Sequence, residues 1–130
     1  MMRQISEIES IGDACYNLAR TMNRQQSSGK KFTEQQYTEL RGMMQLSDDA
    51  LTQMNRVMKG RREDFNIDET MRIEEEINTR RNRLKAENIQ AVNDHLYDYA
   101  VGTMYTDLVN ECEKLGDYVV NVVEARLGKM

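Results

Sequence analysis

No proline occurs anywhere in the 130 residues, and there are only seven glycines. A chain without proline has little to end a helix except glycine, polar turn clusters and the exhaustion of an apolar face. Glu, Arg, Gln and Met are plentiful while aromatic residues are 6% of the chain, a bias toward long helices and away from sheet. The length gives one domain over residues 1–130, large enough to bury a core without disulfides or metal.

Hydrophobic periodicity and breakers predict four helices. The first runs from about Arg3 to about Gln26, with Ile5, Ile8, Ile11, Cys15, Leu18 and Met22 on its apolar side, and Ser27-Ser28-Gly29 ends it. Thr33 with Gln36 reads as a capping box for the second helix, whose seam is Tyr37, Leu40, Met44, Leu51, Met54 and Met58. Asn66 with Glu69 reads as a second capping box. It opens a third helix that runs to about Asp94 and carries a thin apolar face of Ile67, Met71, Ile77, Leu84 and Ala91. Beside that face Glu74, Arg81, Asn88 and His95 recur at strict sevens, as a polar seam between helices or a partner face would. After a break near Tyr97-Asp98, the last helix aligns Val101, Tyr105, Leu108, Cys112, Leu115, Val119 and Val122. Short connections make neighbours antiparallel, so the expected fold is an all-α, four-helix, up-and-down bundle.

The net charge of -4 argues against nucleic acid as a partner, because phosphate contacts need a basic surface. No run of 18 apolar residues is present to insert in a bilayer, and the N-terminal residues lack a signal-peptide core. Cys15 and Cys112 both sit in apolar registers and read as small buried hydrophobes. The basic clusters Lys30-Lys31, Arg61-Arg62 and Arg80-Arg81-Asn82-Arg83 read as solvated faces.

One pattern occurs twice. Ser6 to Asn17 and Asn110 to Asn121 share Glu7/Glu111, Glu9/Glu113, Gly12/Gly116, Asp13/Asp117 and Asn17/Asn121, with Ile11 matched by Leu115. At about 100° per residue, Glu113, Asp117 and Asn121 form one stripe opposite the apolar face of their helix. Glu9, Asp13 and Asn17 do the same on theirs. Both stripes are therefore expected to point away from the core, with Gly12 and Gly116 on the flank where another helix can come close. Carboxylates at i and i+4 lie about 6 Å apart and repel by a few tenths of a kcal/mol, and a cation between them reverses the sign. All-oxygen donors suit Mg²⁺, Ca²⁺, Mn²⁺ or ferric iron better than thiolate-bound zinc.

Glu-Ser-Ile-Gly-Asp-x-x-x-Asn and Glu-Lys-Leu-Gly-Asp-x-x-x-Asn resemble the Glu-Arg-Ile-Gly-Asp-His-Ala-x-Asn signature of the PhoU family of phosphate-transport regulators. Thr106 to Glu113 and Glu74-Glu75-Glu76-Ile77-Asn78 resemble the family's approach to its motif and its preceding helix. The resemblance implies two three-helix repeats, of which this chain would be the last helix of one and the whole of the next, excised from a larger protein. It also implies a non-enzymatic regulatory domain on the cytoplasmic side of a sodium/phosphate cotransporter, with the transporter's membrane domain as partner and homo-oligomers possible. A freestanding cytoplasmic PhoU-type regulator is the alternative.

The family further implies surface metal sites (Fe, Mg, Mn, Ca or Zn) on Glu/Asp-x-x-x-Asp pairs. Carried onto this chain, the candidate ligands are Glu9 and Asp13, then Glu113 and Asp117 with Glu74 facing them, supported by Gly12, Gly116, Asn17 and Asn121. The chain departs from the pattern at Asn78, where a second aspartate is expected. It departs again at Ser10 and Lys114 for the motif arginine, and at Ala14 and Tyr118 for the histidine. A carboxylate-bridged di-iron enzyme, the remote alternative, needs two Glu-x-x-His motifs. The one histidine, His95, has Ala91 and Val92 where such a glutamate would stand. That position reads instead as a seam or core histidine.

Overall fold

The computed structural model describes residues 2–128, with side-chain environments from residue 5 onward. It is the all-α four-helix bundle expected from the periodicity: α1 (Met2–Ser27), α2 (Glu34–Lys59), α3 (Asp68–Asn93) and α4 (Tyr99–Leu127), with a short 3₁₀ turn at Arg62–Asp64. The helix ends follow local chemistry. Thr33 caps α2 in a reciprocal box with Gln36, satisfying two donors left free by the first turn. Asp98 accepts from the Val101 amide to open α4. The expected Asn66/Glu69 box does not form. Asn66 instead accepts from the Asp68 amide at 2.9 Å and α3 begins at Asp68, because the Asn side chain closes a local turn before the helix can start.

α3 ends through its histidine. His95 stands at φ 59°, its amide donates to Val92 O at 3.1 Å and the Leu96 amide donates to Ala91 O at 2.9 Å. This is the Schellman arrangement that glycine normally provides. His95 is exposed in that turn, so it is neither a seam nor a core residue: at the left-handed position the chain has already left the helical register.

Helix α4 is the hub. It packs against α1, α2 and α3, and α2 and α3 pack against each other. Phe32 meets Tyr105 edge-on, the Cys112 thiol lies 3.9 Å from the Met44 sulfur, and Arg126 donates to Gly60 O. The two series climb together, so α2 and α4 run parallel. Every apolar residue assigned to α4 from sequence is buried. The faces of α2 and α3 are rotated slightly from the expected ones. Met43, Ala50 and Val57 centre the α2 face while Tyr37 is partly exposed, and Ile73 replaces Met71 in the core.

The α1 face is corrected further. The helix buries Ile11, Ala14, Leu18, Thr21 and Gln25 against α4, while Ile5, Ile8, Cys15 and Met22 remain exposed. Alanine and threonine complete the buried stripe, which counting only large apolar residues cannot see. Among the described residues, no helix is long and apolar enough to cross a membrane.

Two stability measurements check this packing. Chemical denaturation of Leu84→Ala should show a loss of about 2–5 kcal/mol, whereas Ile8→Ala, at an exposed site, should stay within about 0.5 kcal/mol of wild type. His95→Gly should stabilise by about 1 kcal/mol, because it relieves a left-handed residue.

Candidate functional site

The three seam residues that remain helical face α4 as an antiparallel polar ladder. At one end the Asn88 amide donates to Thr106 Oγ1 at 2.9 Å and Gly102 O at 3.3 Å, and accepts from Tyr97 Oη at 2.6 Å. Seven residues earlier, Arg81 pairs with Glu113 at 2.7 Å, both side chains being largely shielded. Seven earlier again, Glu74 is 7% exposed and lies against Glu113 and Asp117. A heptad of polar residues on α3 thus lines one edge of its contact with α4. The spacing itself was the signal.

Gly116 explains how a carboxylate fits inside a helix contact. A side-chain carbon at that position would stand 2.6 Å from Glu74 Oε2 and 3.1 Å from Ile77 Cδ1. The missing side chain is the space that Glu74 occupies. Glu113 and Asp117 flank this glycine, one a turn before and the other the next residue, so α4 presents two acids around the pocket into which α3 inserts a third.

One carboxylate oxygen from each of Glu74, Glu113 and Asp117 lies within 4.8 Å of the others. Glu74 Oε2 is buried without a hydrogen bond, and so is Asn78 Oδ1 one turn further along α3. An unpaired buried oxygen costs about 1–3 kcal/mol, a cost that protonation or a cation can relieve. Burial first, and then the adjacent Asp117 carboxylate, push the Glu74 carboxyl up to about 8. Burial and Asp117 also raise Glu113, against the pull of Arg81. Among the described residues, Arg81 pairs with Glu113 alone of the three acids.

The two copies of the motif therefore differ in setting. Glu113, Asp117 and Glu74 converge, and the α4 stripe is not turned fully to solvent as the helical wheel implied, because a hub helix contacted on three sides has little free surface. Asn121 is half-buried on the same helix. Glu9 and Asp13 do point outward, both exposed on α1, and a side-chain carbon added at Gly12 meets nothing within 4 Å. Asn17 accepts from Arg20 at 3.4 Å. Among the described residues, Glu9 and Asp13 join no cluster of three potential ligands. Arg81, the counter-charge of the convergent site, was visible in the sequence as a seam residue but not as part of the acid site; the antiparallel register of α3 on α4 puts it there.

No family model, curated protein or solved structure matches this chain.

The folded chain holds the Glu74 proton more tightly than the unfolded chain does, so between about pH 4.5 and about pH 8 it carries more protons and loses stability as pH rises. Melting temperatures in chelator should fall across that window, and Glu74→Gln should flatten the fall. The glycines provide a second check. Gly12→Ala should stabilise α1 by up to about 1 kcal/mol through helix propensity, whereas Gly116→Ala should show no such gain, because it displaces the Glu74 carboxylate.

Proposed function

We propose that this chain is a regulatory, non-catalytic PhoU-like domain of a sodium-dependent phosphate transporter. It would act in phosphate transport and homeostasis from the cytoplasmic side of the membrane, with the transporter's membrane domain in the same parent chain as its partner. The observation that carries the reading is the twice-repeated Glu-x-x-Gly-Asp-x-x-x-Asn register, whose second glycine is the space occupied by a buried glutamate of the preceding helix. The ungapped register has a physical reason there: the glycine admits the acid and the two motif acids surround it.

The chemistry of the donors fits a hard cation. Three carboxylates and the free Asn78 carbonyl oxygen are all oxygen ligands, and two bonds of about 2.1–2.6 Å to one ion span the separation observed. A cation bound there would neutralise the crowded acids and tie α3 to α4. Glu74 would bind from inside the helix contact, Glu113 and Asp117 from its rim, and Arg81 would keep Glu113 oriented. The Glu9/Asp13 pair offers two exposed carboxylates without a third, a much weaker site.

Two of the reactive groups outside the acid site fit a contact role better than catalysis. The Cys112 thiol is pushed up to about 11 by burial, which keeps it protonated and inert. His95 terminates a helix in an exposed turn.

Two experiments test the reading. Protein purified without chelator should retain metal, as should Glu9→Gln/Asp13→Asn, while Glu113→Gln/Asp117→Asn should lose it. At a free metal concentration 100 times its Kd, wild type should gain about 2.7 kcal/mol of stability. Equal metal content in all three proteins would remove the cation from the proposal. The gene sequence ahead of this chain tests the transporter itself. A set of hydrophobic spans is expected in the preceding few hundred residues; soluble helices alone would identify a freestanding regulator instead.

A further inference from the structure

At the Asn88 end of the polar ladder the bundle opens into a cleft of about 550 Å³. It is bounded by the start of α2, the C-terminal half of α3, the turn that joins α3 to α4, and Tyr105 of α4. That volume falls within the roughly 300–1,000 Å³ of small-molecule sites. Leu84, Ala91, Leu96, Tyr97 and Tyr105 give it an apolar lining.

The α2 side of the cleft holds donors. Gln36 is 4% exposed, and its Oε1 accepts from the Thr33 amide in the α2 cap. That bond fixes the side-chain amide, so Nε2 is the atom turned the other way, and it is buried without a hydrogen bond. Nε2 stands near the Tyr97 hydroxyl, on whose pKa Gln36 acts against burial, but it is not bonded to it. Tyr97 Oη itself donates to Asn88 Oδ1 at 2.6 Å. A buried donor left unpaired is costly, and an acceptor entering from the cleft removes that cost. Burial, and then the Glu39 carboxylate, raise the pKa of the Tyr105 phenol. It therefore stays protonated and serves as a second donor.

The α3 side is acidic. Glu39, Glu87 and Asp94 line the cleft, and no Lys, Arg or His does. Arg83, outside the lining, pairs with Glu39 at 2.7 Å and with Glu87 at 3.2 Å. Asp94 accepts from Gln90 Nε2 at 3.0 Å and has no cationic partner among the described residues. It caps the C-terminus of α3, whose last turn contains no basic residue. Helix C-termini carry partial negative charge and favour a cation, and here the acid adds to that charge.

We propose that this cleft binds a small organic amine that also carries a hydrogen-bond acceptor. Its ammonium sits at Asp94 and the end of α3, its apolar body lies against Ala91 and Leu96, and its acceptor meets Gln36 Nε2 and Tyr105 Oη. An anion would meet three acids without a lining cation, and a purely apolar molecule would leave Gln36 unpaired. The inference uses neither the repeated motif nor the acids around Glu74, so it stands or falls apart from the transport reading.

The test is an NMR titration of the full ¹⁵N-labelled chain with three probes of similar shape. Tyramine has both the amine and an oxygen, phenethylamine lacks the oxygen, and 4-hydroxyphenylacetate replaces the amine with a carboxylate. Tyramine should bind saturably, with shifts gathered at Thr33, Gln36, Ala91 and Asp94. Phenethylamine should bind about tenfold more weakly, and the carboxylate should not bind. Asp94→Asn should weaken tyramine by about tenfold, and Ala91→Trp, which fills the cleft, should abolish binding, both with circular dichroism unchanged. Gln36→Met should erase the preference for tyramine over phenethylamine; should that variant lose its cap and unfold, the wild-type preference carries the same test. No saturable binding, shifts gathered elsewhere, equal affinity for amine and carboxylate, or indifference to Asp94→Asn overturns the proposal.

Discussion

Burial of α4 against its three neighbours is the constraint on which the rest of the molecule depends. It is the most apolar of the helices, and it packs closely against each of the other three. Apolar transfer at roughly 25 cal/mol per Å² makes such a helix the natural centre of a chain in which the remaining helices are highly charged. The short connections then leave few ways to arrange α1, α2 and α3 around it. A hub has a consequence for polar residues too: positions on its outer flank are partly covered. Glu113 is shielded for that reason, although a helical wheel turns it away from the apolar stripe.

The polar ladder between α3 and α4 is the second level of organisation. A buried carboxylate weakens a fold unless it is paired, protonated or bound to an ion, and the Arg81 guanidinium pairs with Glu113 rather than with Glu74. The site thus stores unfavourable electrostatics at a helix contact. Asn88, by contrast, is satisfied by Thr106, Gly102 and Tyr97 and fixes the register at the other end. The ladder is anchored at Asn88 and left electrostatically open at Glu74.

Much of this was legible beforehand. The four helices, the Thr33/Gln36 box and the seven core residues assigned to α4 follow from spacing, because amphipathic period and capping chemistry are local properties, whereas Glu74 opposite the second motif came from the family resemblance. The α1 face and the role of His95 were not legible. Ala14 and Thr21 are buried because α4 lies over them, while Ile5, Ile8 and Cys15 are open because no helix among the described residues covers them. His95 sits at the right heptad position but beyond the last helical turn. The periodicity was real, and the helix had ended.

The sequence by itself determined the secondary structure, the helix count and the repeated acid-glycine register, since each depends on residues within a turn or two of one another. The tertiary structure decided which copy of that register becomes a site. Both copies carry the same acids around the same glycine, yet one gathers a third carboxyl from another helix and the other does not, because of the two glycines only Gly116 has a glutamate packed into its gap. Convergence of charges from separate helices is a property of packing, and one strand of text cannot encode which face its neighbour will choose.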